Sequence, residues 1–272
     1  MCCRIAGGNP IPDYGVGLKS LVADYPLLVL PLSFIVLWLS AWIGTSRITK
    51  LRSYAEQHQD FVVVQGATLT LLALVIGFAF SMAVSRYDQR KNLEEEEANA
   101  IGTEYLRADF LPAADAAKVR ALLLTYLDQR VLFYTVDDAD ELQRIDAKTA
   151  KLQAELWSAI RAPASAEPTP VMALVVQGMN DVLNSQGYTL AAWRNRIPTG
   201  AWILMSVLAI LSAMLVGIGA KNGKPTSGIL LILPLVVSIA FFMVADIDAP
   251  RRGLIHVVPL NLLSLAQALK VQ

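Results

Sequence analysis

Residues 77–111 read GFAFSMAVSRYDQRKNLEEEEANAIGTEYLRADFL, and the fold turns on this stretch. It opens uncharged, as GFAFSMAV, and then places eight charged side chains between Arg86 and Glu97. No proline interrupts it before Pro112. One continuous helix can hold both halves only if it leaves lipid part-way along. Arg90 and Glu94 are four apart, as are Lys91 and Glu95, so the charges face one another along a helix. Each such pair is worth about 0.3–0.5 kcal/mol, which serves solubility more than stability. Four consecutive glutamates, Glu94 to Glu97, cover nearly the whole circumference and predict a band solvated all round, or one facing copies of itself across water. Ala98, Ala100 and Gly102 follow as a small-residue strip suited to close helix packing.

On both sides of this band the chain has lipid-like stretches. Four uncharged runs occur, 25–46, 61–84, 201–220 and 228–245, each near the ~20 residues that cross ~30 Å of hydrocarbon. The whole chain of 272 residues is 55% hydrophobic and 17% charged, with mean hydropathy +0.47 and net charge +0. Soluble domains carry nearer a quarter charged residues, and no global field points to nucleic acid. Pro31 and Pro234 predict kinks in the first and fourth spans, tolerated where a neighbour satisfies the freed carbonyl. Trp38, Trp42 and Trp202 lie toward span ends, as interfacial aromatics do. Residues 1–24 have no signal-peptide core and read as a retained, irregular N-terminus; Cys2 and Cys3 form no disulfide framework.

Four spans put both termini and residues 85–197 on one side. Near span ends that side offers Lys19, Arg86, Arg90, Lys91, Arg194, Arg196, Arg251 and Arg252, against Arg47, Lys50, Arg52, Lys221 and Lys224 on the other. The excess places the larger side in the cytoplasm, although the first span alone favours the reverse.

Between spans two and three the pattern stays helical. A second helix over 114–134 carries Val119, Leu122, Leu123, Tyr126 and Leu127 on its apolar stripe. Asp138 with Glu141 forms a capping-box pattern for a third, whose apolar positions are Leu142, Ile145, Leu152, Leu156 and Ile160. APASAEPTP at 162–170 reads as a linker, and a fourth helix over 171–195 leads through Pro198 into span three. No stretch alternates as a strand.

Little catalytic chemistry is available. There is no Cys-X-X-Cys, no histidine pair at metal-ligand spacing, no G-x-S-x-G and no phosphate loop. His58 and His256 stand beside span ends. No Asp, Glu, Lys, Arg or His lies within the spans, which argues against a proton-coupled transporter or an intramembrane protease. No enzyme, metal or cofactor is expected. A passive pathway needs only hydroxyls, aromatics and an apolar constriction with charge at its mouth. Thr70, Leu74 and Phe78 share one face of span two, with Arg86 and Arg90 beyond them. The same pattern describes a lipid-facing strip with interfacial arginines, and by itself it favours that plainer reading.

Gly77, Phe78, Ser85, Arg86, Tyr87 and Asn92 resemble, in order, the second transmembrane helix of bestrophins. Asp246, Ile247, Asp248, Pro250, Gly253 and Pro259 resemble the acidic-Pro-Gly segment and following helix of bacterial bestrophins. Arg86-Tyr87-Asp88, Arg90 and the run from Glu97 through Asn99 to Thr103 resemble the signature of the bacterial bestrophin-like family. The resemblance implies a pentameric anion channel in which span two lines the pore. Thr70, Leu74 and Phe78 would then form the neck, Arg86 and Arg90 an anion vestibule, and chloride would be a permeant ion. Gly77 would keep the adjacent face thin enough for close packing. The chain departs from the pattern at Tyr87-Asp88 and at Arg251-Arg252-Gly253, and only Asp246 and Asp248 remain near the end of span four, so the calcium clasp of animal bestrophins is not carried over.

The sequence therefore predicts an all-α, four-span, bestrophin-like protein of a cell membrane, a bacterial inner membrane in particular. Its expected parts are an N-terminus (1–24), spans one and two (25–84), a helical cytoplasmic region (85–197), spans three and four (198–247) and a short C-terminal segment (248–272). Lipid, copies of itself and anions are its expected partners. The rival is a non-conducting membrane adaptor or sensor that uses 85–197.

Overall fold

The computed structural model describes residues 25–46, 59–220 and 228–271. Among them are eight α-helices and no strand. These are α1 (Pro26–Ser46), α2 (Gln59–Arg107), α3 (Ala113–Thr135), α4 (Ala139–Ala166), α5 (Pro170–Arg194), α6 (Thr199–Ile218), α7 (Gly228–Asp248) and α8 (Leu260–Val271); a 3-10 turn, Ala108–Phe110, separates α2 from α3. His58 lies outside the described residues, as do the predicted loop residues 47–58 and 221–227. Four helices are long and apolar enough to cross a membrane. The protein is a multi-pass membrane protein.

The described residues divide into two compact units, those within 1–76 and 198–249 and those within 77–197 and 250–272. In the first, α1 packs against α6 and α7. Small residues set this contact. A Cβ added at Gly217 would collide with the Ala41 carbonyl oxygen, and one at Gly44 with that of Met214. The helices thus touch backbone to backbone, as small residues permit within lipid. Leu27, Leu28, Leu32, Ile35 and Leu39 of α1 are exposed, the face that a membrane would cover. Trp38 and Trp42 are exposed too, but Trp202 is buried edge-on against Phe241 with ring centroids 6.3 Å apart, so it is a packing residue.

The second unit is a helical domain with its own core. Ile101, Val119, Leu123, Tyr126, Leu127, Leu156, Ile160, Val175, Met179, Val182 and Leu262 are buried together. The predicted stripes of α3 and α4 supply much of it. Asp138 caps α4, its Oδ1 accepting from the Glu141 N–H at 2.9 Å. The linker is shorter than the composition suggested. α4 continues through Pro163, which is buried, to Ala166, and Ser165 Oγ donates to the Arg161 carbonyl at 2.9 Å in the last turn. Thr169 then caps α5 by accepting from the Met172 N–H at 3.1 Å.

Candidate functional site

α2 is 49 residues, about 74 Å at 1.5 Å per residue, and only its apolar part, 61–84, suits hydrocarbon. In the second unit its inner side is Ala79, Ala83, Arg90, Glu94, Glu97, Ala98, Ile101 and Glu104, all buried. Its outer side is Phe78, Ser81, Ser85, Asp88, Asn92, Glu96, Asn99 and Thr103, all exposed. The outer set steps by three and four, and the inner set falls in the same repeat with one turn passed over between Ala83 and Arg90, the pattern of one helix face. An open groove follows the outer side from Phe80 to Glu96.

The expected neck residues are all exposed: Thr70 and Leu74 in the first unit, and Phe78, at 63%, in the second. Arg86 is half-buried and engaged, and Arg90 is 2% exposed. At about 100° per residue, Arg90 lies about 120° round the helix from Phe78. Its guanidinium therefore belongs to the protomer interior, not to a vestibule in line with Phe78. Gly77 has nothing among the described residues within 4 Å of an added Cβ, so it makes no close contact with them. Tyr87 packs against the core, whereas Asp88 and Asn99 are exposed. Asp246, Asp248 and Pro250 are buried, and both acids are engaged.

The acidic band is not solvated all round. Glu95 and Glu96 are exposed, but Glu94 and Glu97 are buried. Glu94 caps α8: Oε1 accepts from the Leu262 N–H at 2.9 Å and Oε2 from Asn261 Nδ2 at 2.7 Å. Pro259 precedes α8, so an acid supplied by another helix answers its free N–H groups and positive end. Glu97 meets Arg130 of α3 in an ion pair in which neither side chain is exposed. Tyr134 and Thr189 hydroxyls complete its shell, at 3.4 and 3.3 Å from Oε2. Burial lowers the Arg130 pKa, but the Glu97 charge and hydrogen bond outweigh it, so the net shift is upward and Arg130 stays charged. Burial, reinforced by the charge of Glu97, raises the Tyr126 and Tyr134 phenols, which remain neutral.

The small-residue strip is likewise used inside the protomer. Ala98 is buried, Ala100 packs on the core, and a Cβ at Gly102 would press on Leu265 of α8 at 3.1 Å.

Arg251, which the sequence marked as a basic residue near a span end and as a departure from the family pattern, has a defined role. Its Nη1 donates to the Phe133 and Val136 carbonyls at the end of α3, at 2.7 and 2.9 Å. Its guanidinium stacks 4.6 Å from the Phe133 ring centroid and 4.4 Å from that of Trp193. Carbonyls at a helix C-terminus and aromatic faces both attract a cation. Burial lowers the Arg251 pKa, opposed by Asp137 and Asp146.

Arg130, Glu94 and Arg251 were missed because their partners lie far along the chain. Arg130 carried one legible signal, since it continues the apolar stripe Leu123, Tyr126, Leu127 at helical spacing. A charge on a buried stripe requires a buried partner. Among the described residues no three His, Cys, Asp or Glu side chains are grouped to hold a metal ion.

A sequence profile of the Bestrophin-like domain matches residues 32–262. No curated protein matches the sequence. Solved structures share the fold. A single-site variant of a bacterial bestrophin homologue from Klebsiella pneumoniae aligns with TM-score 0.62 at 14% identity, over 88% of this chain and 99% of its own. A second variant of that homologue gives 0.63 at 11% identity, over 91% and 98%. A crystal structure described as a membrane protein gives 0.61 at 14% identity, over 88% and 98%.

Proposed function

Because the chain belongs to the bestrophin-like family, we propose that it is an oligomeric ion channel in which the outer face of α2 lines the path. The observation that carries this reading is that face itself. Phe78 is followed by Ser81, Ser85, Asp88, Asn92 and Glu96, all exposed in the protomer. Such a ladder is too polar for lipid, and Phe78 is too apolar for bulk water. A water-filled axis ringed by copies suits both. Kinship makes five copies the first choice. Leu74 and Phe78 would form the apolar neck, and the charge bias puts the termini and 85–197 in the cytoplasm, the spans in a bacterial inner membrane.

Kinship also supports anions, chloride among them, as the permeant class. One observation favours cations instead: the outer ladder carries Asp88 and Glu96, while Arg90 is turned inward. The rival without conduction is an adaptor that uses the helices of 85–197 to bind a partner.

Bilayer recordings in a chloride-salt gradient separate these readings. Current is expected, rising severalfold in the Leu74→Ala/Phe78→Ala variant. A reversal potential near that of chloride supports the anion reading. One near that of the cation, weakened in Asp88→Asn/Glu96→Gln, supports the other. If wild type and alanine variant are both silent with the oligomer intact, the channel reading fails and the adaptor replaces it.

A further inference from the structure

Glu104 lies on the inner side of α2 and is fully buried. Among the described residues, neither of its carboxyl oxygens has a hydrogen-bond partner. Its neighbour across the helix contact is Gly178 of α5. A Cβ added there would collide with Glu104 Oε2 and with Arg107 Nη1. The carboxyl therefore rests on the α5 backbone where that helix has no side chain.

Few charges can compensate it. Arg107, on the same helix, directs Nη1 to the Leu174 carbonyl at 3.2 Å. Asp181, one turn beyond Gly178, accepts from Gln177 Nε2 at 2.9 Å and adds negative charge. On the adjoining elements, Arg120 of α3 pairs with Asp109 of the 3-10 turn, and Lys270 of α8 lies 3.7 Å from Asp128. A buried carboxylate without donors costs several kcal/mol, and such a group sheds its charge by keeping its proton.

We propose that Glu104 is a proton-operated latch between α2 and α5: protonated, it lets the two helices close over Gly178, and ionised, it drives them apart. The latch acts on the helix whose outer face forms the proposed path, but it does not rest on conduction. Burial, opposed by Arg107 and reinforced by Asp181, raises the Glu104 pKa from 4.5 to about 8. An acid raised in this way holds, in the closed state, a proton that the open state has released. Closure is therefore favoured fully at low pH, weakens as pH rises from 4.5 to about 8, and changes no further above that.

Hydrogen exchange on the full-length protein in nanodiscs, corrected for intrinsic rates, tests the latch. For one proton, opening of amides around Gly178 should grow about tenfold per pH unit between about pH 6 and 8, then level off. Glu104→Gln, neutral at every pH, should give a flat profile. If that variant does not fold, two exposed or half-exposed neighbours serve: Asp181→Asn should bring the plateau to lower pH and Arg107→Gln to higher pH. A wild-type profile that is flat, or shared by Glu104→Gln or by both neighbour variants, overturns the proposal. The readout needs no current, so a silent channel leaves it standing.

Discussion

Glu97 and Arg130 bury two opposite charges with no exposure of either side chain. Removing one partner from such a pair costs about 3–5 kcal/mol, because the other is left charged and dry, whereas replacing both by well-packed neutral groups is often close to neutral. Arg130→Met should therefore lower the unfolding midpoint in detergent steeply, and Glu97→Gln/Arg130→Met should recover more than half of that loss. If the double variant is as unstable as the single one, packing of Arg130 over Phe133, 4.5 Å from the ring centroid, is the larger contribution. The rule that separates Glu94 and Glu97 from Glu95 and Glu96 is rotation about the helix. Four consecutive residues point four ways, and the apolar repeat Ala98, Ile101 marks which of those ways is inward.

At the scale of an element, the same rotation explains α2. Its inner side is defined by Ala79, Ala83 and Ile101, and Arg90, Glu94, Glu97 and Glu104, in phase with them, are drawn inside despite their charge. This phase was countable from the sequence, and it places Arg90 away from Phe78. Spacing alone could not say which side the protein covers. In the membrane unit, α1 and α6 depend on the lack of side chains at Gly44 and Gly217. Gly217→Ala would push a methyl group into a carbonyl that no rotamer change can move, an overpacking cost of about 1–3 kcal/mol. A lowered thermal midpoint is expected. Gly66→Ala is the control: among the described residues its Cβ meets nothing within 4 Å, so helix propensity should leave stability equal or slightly higher. Equal loss in both variants would remove the argument from close packing.

For the whole molecule, the exposed outer ladder of α2 asks for copies of the chain around it. Native mass spectrometry from mild detergent should show a homo-oligomer, with five copies first. A monomer under all conditions would rule out the proposed path, since one helix encloses nothing. With the small-residue strip occupied inside the protomer, assembly has to use the outer faces.

The sequence alone determined the all-helical membrane class, because apolar run length and charge density answer directly to bilayer thickness and need no partner residue. It also determined the stripes of α3 and α4, since helical periodicity is local. Tertiary structure alone decided that Glu94 caps α8, that Glu97 pairs with Arg130, that Arg251 seats on the end of α3, and that Glu104 rests on Gly178. Each of these joins positions from tens of residues to more than a hundred apart. A charge next to other charges reads locally as solvated, and only the fold shows whether a partner or an apolar wall stands across from it.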